Sequence, residues 1–296
     1  MKRISKDTRV YSMSKDNKSV ITVSPGESLI VETHDCFTGS LCSEEVPISE
    51  VPWEAINPAT GPIYIEGAEP GDILVVSIER IEIGDHAVMA TGPRLGVLGH
   101  KLTQEVTSIL PIEGDEVVFN DRIRIPIRPM IGVIGTAPEG DAILCGTPGN
   151  HGGNMDCKEI TAGTKLMLPV FHSGALLALG DVHAVMADGE VSVSGAEIGA
   201  EVEIRLDLIK GGMSDYPYPI LESEDAIMVI DSKETLEEAI RSGVEKTVDL
   251  LVKDHEFHQE EALRFLSLAG DVRICQVVDP LMTIRIEIKK ELLFKA

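Results

Sequence analysis

Apolar residues along the first two-thirds of the chain come in short runs of strand length. Ile73-Leu74-Val75-Val76-Ser77-Ile78 is β-branched and nearly continuous, as a buried strand is. Val202-Glu203-Ile204-Arg205-Leu206-Asp207-Leu208 alternates apolar and polar side chains, which predicts a strand with one face in water. A small unit stands before several such runs: Pro25-Gly26-Glu27-Ser28-Leu29, Pro70-Gly71-Asp72-Ile73-Leu74, Ala162-Gly163-Thr164-Lys165-Leu166 and Ile198-Gly199-Ala200-Glu201-Val202. In each, glycine suits a tight turn and the apolar residues that follow enter a strand. The copies are irregularly spaced, so they form no solenoid or propeller period. This pattern predicts a β-sandwich or barrel with few helices.

The pattern changes near Gly211-Gly212, ahead of Tyr216-Pro217-Tyr218-Pro219. Ala226 to Ile230 has the pattern of a strand. Leu236, Ala239, Ile240, Val244, Val248 and Leu251 then recur at helical spacing, with Ser232 or Thr235 available as N-cap. A second helix is predicted over Gln259 to Leu268, stopping at Gly270. Strands over Val272–Val278 and Thr283–Ile288 follow, separated by Asp279-Pro280. The expected organisation is a β-rich catalytic region over 1–212 and a small α+β region over 213–296.

Charge narrows the range of partners. Of 296 residues, 49 are Asp or Glu and 26 Lys or Arg, a net charge of −23. Nucleic acid and anionic membrane surfaces need a basic face, so both are excluded as expected partners. No apolar run is long enough to span a bilayer, and Met1-Lys2-Arg3-Ile4-Ser5-Lys6-Asp7 places charges where a signal core would lie. Five cysteines without a C-x-x-C pair fit reduced thiols and a cytoplasmic setting.

Three segments concentrate ligand-type side chains. His34 and Asp35 follow the strand predicted over Ser28–Val31. On its own that segment reads more simply as an Asx turn beside a partly buried histidine. Asn150-His151-Gly152-Gly153-Asn154-Met155-Asp156 combines polar side chains with two glycines that permit close approach to a ligand. In Gly180-Asp181-Val182-His183, the alternation of an extended chain puts Asp181 and His183 on one face. The Asp188-Gly189 turn signal would return Glu190 to the same neighbourhood. Histidine with several carboxylates suits zinc or another divalent cation. His86, His100 and His172 stand alone and read as structural.

Several stretches resemble signatures of the acetamidase/formamidase family. They are Gly61-Pro62-Ile63-Tyr64-Ile65-Glu66-Gly67-Ala68-Glu69-Pro70-Gly71-Asp72, Ile131-Gly132-Val133-Ile134-Gly135, the 151–156 loop, the 180–190 segment, and Gly270-Asp271-Val272-Arg273-Ile274-Cys275-Gln276-Val277-Val278-Asp279-Pro280. The similarity runs in order along essentially the whole chain. It implies hydrolysis of short aliphatic amides such as formamide and acetamide to a carboxylate and ammonia. It also implies jelly-roll-like and barrel-like parts, a homo-oligomer (a dimer or higher), and zinc or calcium as the bound ion.

The reading that joins residues and resemblance is a metal-assisted amidase. His34, Asp35, Asp156 and His183 are expected to hold the cation. Glu190, with Asp188 and His151, forms the expected catalytic set, Glu190 moving the proton that ammonia needs to depart. Asn154 and the amides of Gly152 and Gly153 are expected at the substrate oxygen. Two other classes fit an Asp-x-His pair on a β-sandwich: a non-haem iron oxygenase, and a non-catalytic β module whose metal only holds loops.

Overall fold

The computed structural model describes residues 1–293. The chain is mainly β, as its apolar pattern predicts. A nine-stranded sheet runs in the order Lys2–Ile4, Ser28–Thr33, Ala200–Ile209, Ile73–Ile83, Lys165–Pro169, Ile220–Glu222, Ala226–Lys233, Met282–Lys289 and Gly270–Gln276. An eleven-stranded sheet holds, among others, Ala59–Ile65, His86–Thr91, Val106–Glu113, Met130–Gly135, Gly152–Asn154 and Leu177–His183. One apolar cluster unites both sheets: Leu29, Val76 and Ile204 come from the first, and Ile63, Ile131, Leu179 and Val182 from the second.

The strands predicted over Ile73–Ile78 and Val202–Leu208 lie inside longer ones, paired antiparallel with Val76 opposite Leu206. Gly26, Gly71 and Gly163 take positive φ at the turns before their strands. Gly199 differs. It joins Glu197–Ile198, in the eleven-stranded sheet, to Ala200–Ile209, in the nine-stranded one, so here the chain changes sheets. That crossing carries Glu197 into the interior.

Two α-helices cover one end of the nine-stranded sheet. Helix α1 (Leu236–Asp254) starts at Thr235, whose side chain accepts a hydrogen bond from the Glu238 amide at 3.2 Å. Helix α2 (Gln259–Ala269) stops at Gly270. Their apolar faces meet Ile284, Ile286 and Ile288 of the sheet through Ala239, Val248, Leu251 and Leu266. Leu251 and Ile284 are both 0% exposed, and burial of a side chain of that size contributes on the order of 1.5–3 kcal/mol. The division expected near residue 212 follows the change in element type but is not a break in the sheet. Lys165–Pro169 pairs directly with Ile220–Glu222, so residues after 212 extend a sheet begun at Lys2. Among the described residues, no helix is long and apolar enough to cross a membrane.

Candidate active site

A cavity of about 430 Å³ is lined by Asn154, Asp181 and Glu197 from strands of the eleven-stranded sheet and by residues of the loops around them. Its floor is acidic: Asp156, Asp181, Glu190, Glu197 and Asp279 line it, together with Cys36 and Asn154. Phe37, Ile48, Trp53, Ile56, Leu95 and Val193 give it an apolar wall, interrupted by Glu54, Asn57 and Arg94. The acidic side chains come from distant parts of the chain, and the pairing of strands brings them together.

Met130–Gly135 and Leu177–His183 pair antiparallel in a register that sets Gly132 across from Asp181. A Cβ on Gly132 would stand 2.5 Å from Asp156 Oδ1 and 2.6 Å from Asp181 Oδ2, so only glycine admits both carboxylates. Asp156, Asp181 and Glu190 all have left-handed backbone, with φ of 41°, 55° and 43°. Side chains other than glycine rarely adopt that conformation, and it costs about 1–3 kcal/mol per residue. Three strained carboxylates in one cavity mark a place where the rest of the fold holds geometry against local preference.

At the centre stands His183, 1% exposed. Its Nε2 lies 3.0 Å from Glu197 Oε2, 3.4 Å from Asp181 Oδ1 and 3.8 Å from Asp156 Oδ1. Burial opposes a charge on this imidazole, but Glu197 and Asp181 outweigh it and hold the ring pKa well above the ordinary value. Burial, reinforced by Asp181, pushes Asp156 up to about 7. Glu197 rises to about 8 through burial. Glu190 is raised well above the usual range by burial and by Asp156. Asp279 is raised for the same two reasons, although Asn154 donates a 2.8 Å hydrogen bond to it. So many carboxyl groups this close cannot all be ionised without a cation.

The ligand atoms of Asp156, His183 and Glu190 all fall within 4.8 Å of one another, and so do those of Cys36, Asp181 and Glu197. Asp156 Oδ1 and the second ring nitrogen of His183, Nδ1, are buried without hydrogen-bond partners. Such atoms are costly unless something binds them. The donor set therefore fits a divalent cation.

Of the residues picked out in the sequence, Asp156, His183, Glu190 and Asn154 meet at this cavity. Six others do not. His34 and Asp35 line a separate cleft of about 700 Å³ beside Glu82, Asp85 and His86. Asp35 Oδ1 is taken by the amides of Phe37, at 2.9 Å, and Gly39, at 3.0 Å. It shapes an Asx turn that aims Cys36 and Phe37 at the cavity, a positioning task rather than ligation. Asp188 also lies apart, bound to Arg285 and to Lys158. His151 is buried away from the lining, and burial lowers its pKa to about 4. Gly152 and Gly153 are strand residues against Ile134 and Gly135, and a Cβ on Gly152 would lie 2.2 Å from Ile134 O. Their glycines serve strand approach, and the Gly152 amide is already given to Gly149 O at 3.0 Å.

Sequence reasoning missed Cys36, Glu197 and Asp279. Glu197 carried a signal: a lone carboxylate in Gly195-Ala196-Glu197-Ile198-Gly199, among small and apolar neighbours, predicts a buried acid. Asp279 read only as the start of a turn with Pro280.

The sequence matches the model of the acetamidase/formamidase family over residues 12–145 and 141–291. The chain belongs to that family. Its fold is similar to the crystal structure of an acetamidase from Bacillus halodurans, with TM-score 0.96 and 42% identity, covering 99% of this chain and 100% of that one. An acetamidase structure from Yersinia enterocolitica is similar at TM-score 0.94 and 33% identity, with 99% and 93% covered. An acetamidase of Mycolicibacterium smegmatis is 26% identical over 270 residues, 68% of this chain and 66% of that protein. The chain spans about two thirds of the length of the curated relatives it matches. The family's names are those of hydrolases acting on linear amide C–N bonds. The acidic cavity joins the family segments: it gathers residues from the 151–156 loop, the 180–190 segment and Asp279.

Proposed function

We propose that this member of the acetamidase/formamidase family hydrolyses short aliphatic amides, such as formamide and acetamide, to a carboxylate and ammonia. The observation that carries the reading is the convergence of Asp156, His183 and Glu190 at the floor of the cavity. Asp156 and His183 would hold a divalent cation with Glu190 beside it, zinc favoured over calcium because an imidazole is among the donors. Such an ion acts as a Lewis acid on the amide carbonyl and makes water acidic near neutral pH.

The chain's own groups then divide the work. Glu190 lines the cavity beside Asp156 and His183, where its carboxylate can take a proton from water and return it to the leaving nitrogen. Asn154 gives one amide hydrogen to Asp279 and keeps a second for the substrate oxygen. Phe37 and Val193 are apolar lining residues against which an acyl group would pack. The five described cysteines are free thiols, which supports a cytoplasmic setting. A homo-oligomer belongs to the same reading, supported by exposed Leu263, Leu268, Val272 and Ile274 on α2 and the edge strand beside it. Light scattering of the purified chain checks that part.

The test of function is ammonia release from formamide and acetamide, before and after exhaustive chelation. Release that stops on chelation and returns with zinc is expected. Full turnover in chelated protein would remove the cation from the reaction, and no turnover in zinc-loaded protein would remove the amidase reading.

A further inference from the structure

Arg94 brings a positive charge to a cavity whose floor is acidic. Nine of the chain's twelve arginines, Arg3, Arg128 and Arg285 among them, form ion pairs with the protein's own carboxylates. Arg94 forms none with any described residue, in a chain that carries 49 Asp and Glu. Its side chain is exposed and lines the cavity with Trp53, Leu95 and Gly96. Glu54 lines the same wall and makes no ion pair with it. A guanidinium left unpaired in so acidic a chain is open to a carboxylate from outside.

The backbone fixes where that charge stands. Arg94 has left-handed backbone, with φ of 69°, which side chains other than glycine rarely adopt. Its amide donates to Gly99 O at 3.0 Å, and a Cβ on Gly99 would stand 2.7 Å from the Arg94 carbonyl carbon. The same loop is pinned to the turn that follows Glu190. The Val97 amide donates to Val191 O at 2.9 Å, and a Cβ on Gly96 would lie 2.6 Å from that oxygen. Arg94 and Glu190 therefore belong to two loops bonded to each other, and both line the cavity. Its volume of about 430 Å³ leaves room for an acyl group that reaches from one toward the other.

We infer that Arg94 selects amides whose acyl chain ends in a carboxylate, the monoamides of dicarboxylic acids. This rests on the proposed amide hydrolysis and names its substrate class. The amide end meets the acidic floor, and the distal carboxylate accepts a forked pair of hydrogen bonds from the guanidinium. Water adds to the amide carbonyl, the C–N bond breaks, and the products are a dicarboxylate and ammonia. The chain's net charge of −23 repels an anion at long range, but salt screens that repulsion beyond about 8 Å, and the contact pair prevails close in.

Succinamate and butyramide, equal in chain length and different in charge, are the probes. In wild type, kcat/KM for succinamate is expected to exceed that for butyramide by about 10-fold or more, the weight of a charge-assisted pair. The ratio should shrink as salt is raised. Arg94→Gln is expected to lose the preference and Arg94→Lys to keep part of it. Arg94→Glu should turn it toward 4-aminobutyramide, an inversion that a structural role would not produce. Binding is read apart from turnover through Trp53, the chain's one tryptophan, which lines the same cavity. In Glu190→Gln its fluorescence should respond to succinamate at lower concentration than to butyramide. A wild-type ratio of one or less, or a preference that survives Arg94→Gln, overturns the inference and leaves amide hydrolysis standing. Selective binding that is lost on adding Arg94→Gln, without turnover of either amide in wild type, supports the anion seat and removes the hydrolysis. Neither turnover nor a fluorescence response overturns both.

Discussion

Arg285, 2% exposed, donates two hydrogen bonds to the Asp188 carboxylate, at 2.7 and 3.0 Å. This forked pair ties the strand Met282–Lys289 to the turn that carries Glu190 into the cavity. Asp188 is thereby a holder of the turn, and its own carboxylate stays below the usual range because Arg285 outweighs its burial. Asp188→Asn leaves a buried guanidinium without its main counter-charge, which costs about 3 kcal/mol when such a pair is broken from one side. We expect a lower urea midpoint with turnover reduced less than about 10-fold. A fall in turnover of the size seen on loss of Glu190, with no change in stability, would return Asp188 to the chemistry.

Glu190→Gln should behave in the opposite way. General acid–base groups contribute about 10²–10⁴ in rate, so turnover of acetamide should fall by that range. The change also removes one carboxylate from a crowded, buried group whose pKa is driven up by burial and by Asp156. The thermal midpoint of metal-free protein is therefore expected to stay level or rise. Ammonia release and calorimetry on the same sample check both halves.

The contrast between these two residues shows what was legible in the sequence. Strands and helices followed from periodicity, as in Val202–Leu208 and Leu236–Leu251, because burial of one face is written into local spacing. Asp156, His183 and Glu190 were visible because ligand types crowded into short segments. Asp188 and Glu190 lie two residues apart with the same side-chain chemistry, yet one meets Arg285 and the other the cavity. That choice is made by a residue 97 positions away from Asp188, and no local pattern holds it. Asp35 misled for a related reason: an Asx turn and a metal ligand use the same residue type, and only the amides of Phe37 and Gly39 tell them apart. Cys36 and Glu197 stayed hidden because their partners come from separate strands.

Gly132 leaves no room for a side chain beside the two cavity carboxylates it faces. A single methyl there would press on Asp156 and Asp181 together, at 2.5 and 2.6 Å. Both are held in left-handed backbone with little room to give. Gly132→Ala is expected to lower kcat/KM by at least about 100-fold, the scale of a displacement near 1 Å in a reacting group. Far-ultraviolet circular dichroism should remain that of the wild type, since overpacking of this size costs about 1–3 kcal/mol. Wild-type kinetics in Gly132→Ala would show that the two carboxylates do not act at those positions.

His151 gives a pH dependence that belongs to stability rather than turnover. Burial keeps it neutral in the folded chain down to about pH 4, while a histidine in the unfolded chain takes up its proton near ~6.5. Between those values the unfolded state binds the extra proton. Stability from this group is thus complete above pH ~6.5 and declines as pH falls toward 4, by up to about 3 kcal/mol. The cavity carboxyls oppose it: Asp156 is raised, so it favours the folded state as pH falls. The measurement is therefore differential. Urea unfolding at pH 7.5 and pH 5 should show a smaller difference between wild type and His151→Gln at pH 5 than at pH 7.5. An unchanged difference would mean that His151 is protonated in the folded chain.

The apolar wall sets the remaining expectation, on substrate length. Phe37, Ile48, Trp53, Ile56, Leu95 and Val193 surround a cavity of about 430 Å³, more space than formamide fills. An acyl chain that grows against this wall leaves water one methylene at a time, and each buried methylene contributes about 0.8 kcal/mol, or roughly four-fold in kcat/KM. The value should climb from formamide through acetamide and propionamide to butyramide. Val193→Asp places a carboxylate in the same wall and should flatten the climb while leaving formamide the least affected of the four. A series that falls from formamide onward would mean that the acyl group does not face these side chains, and would turn the amide around in the cavity.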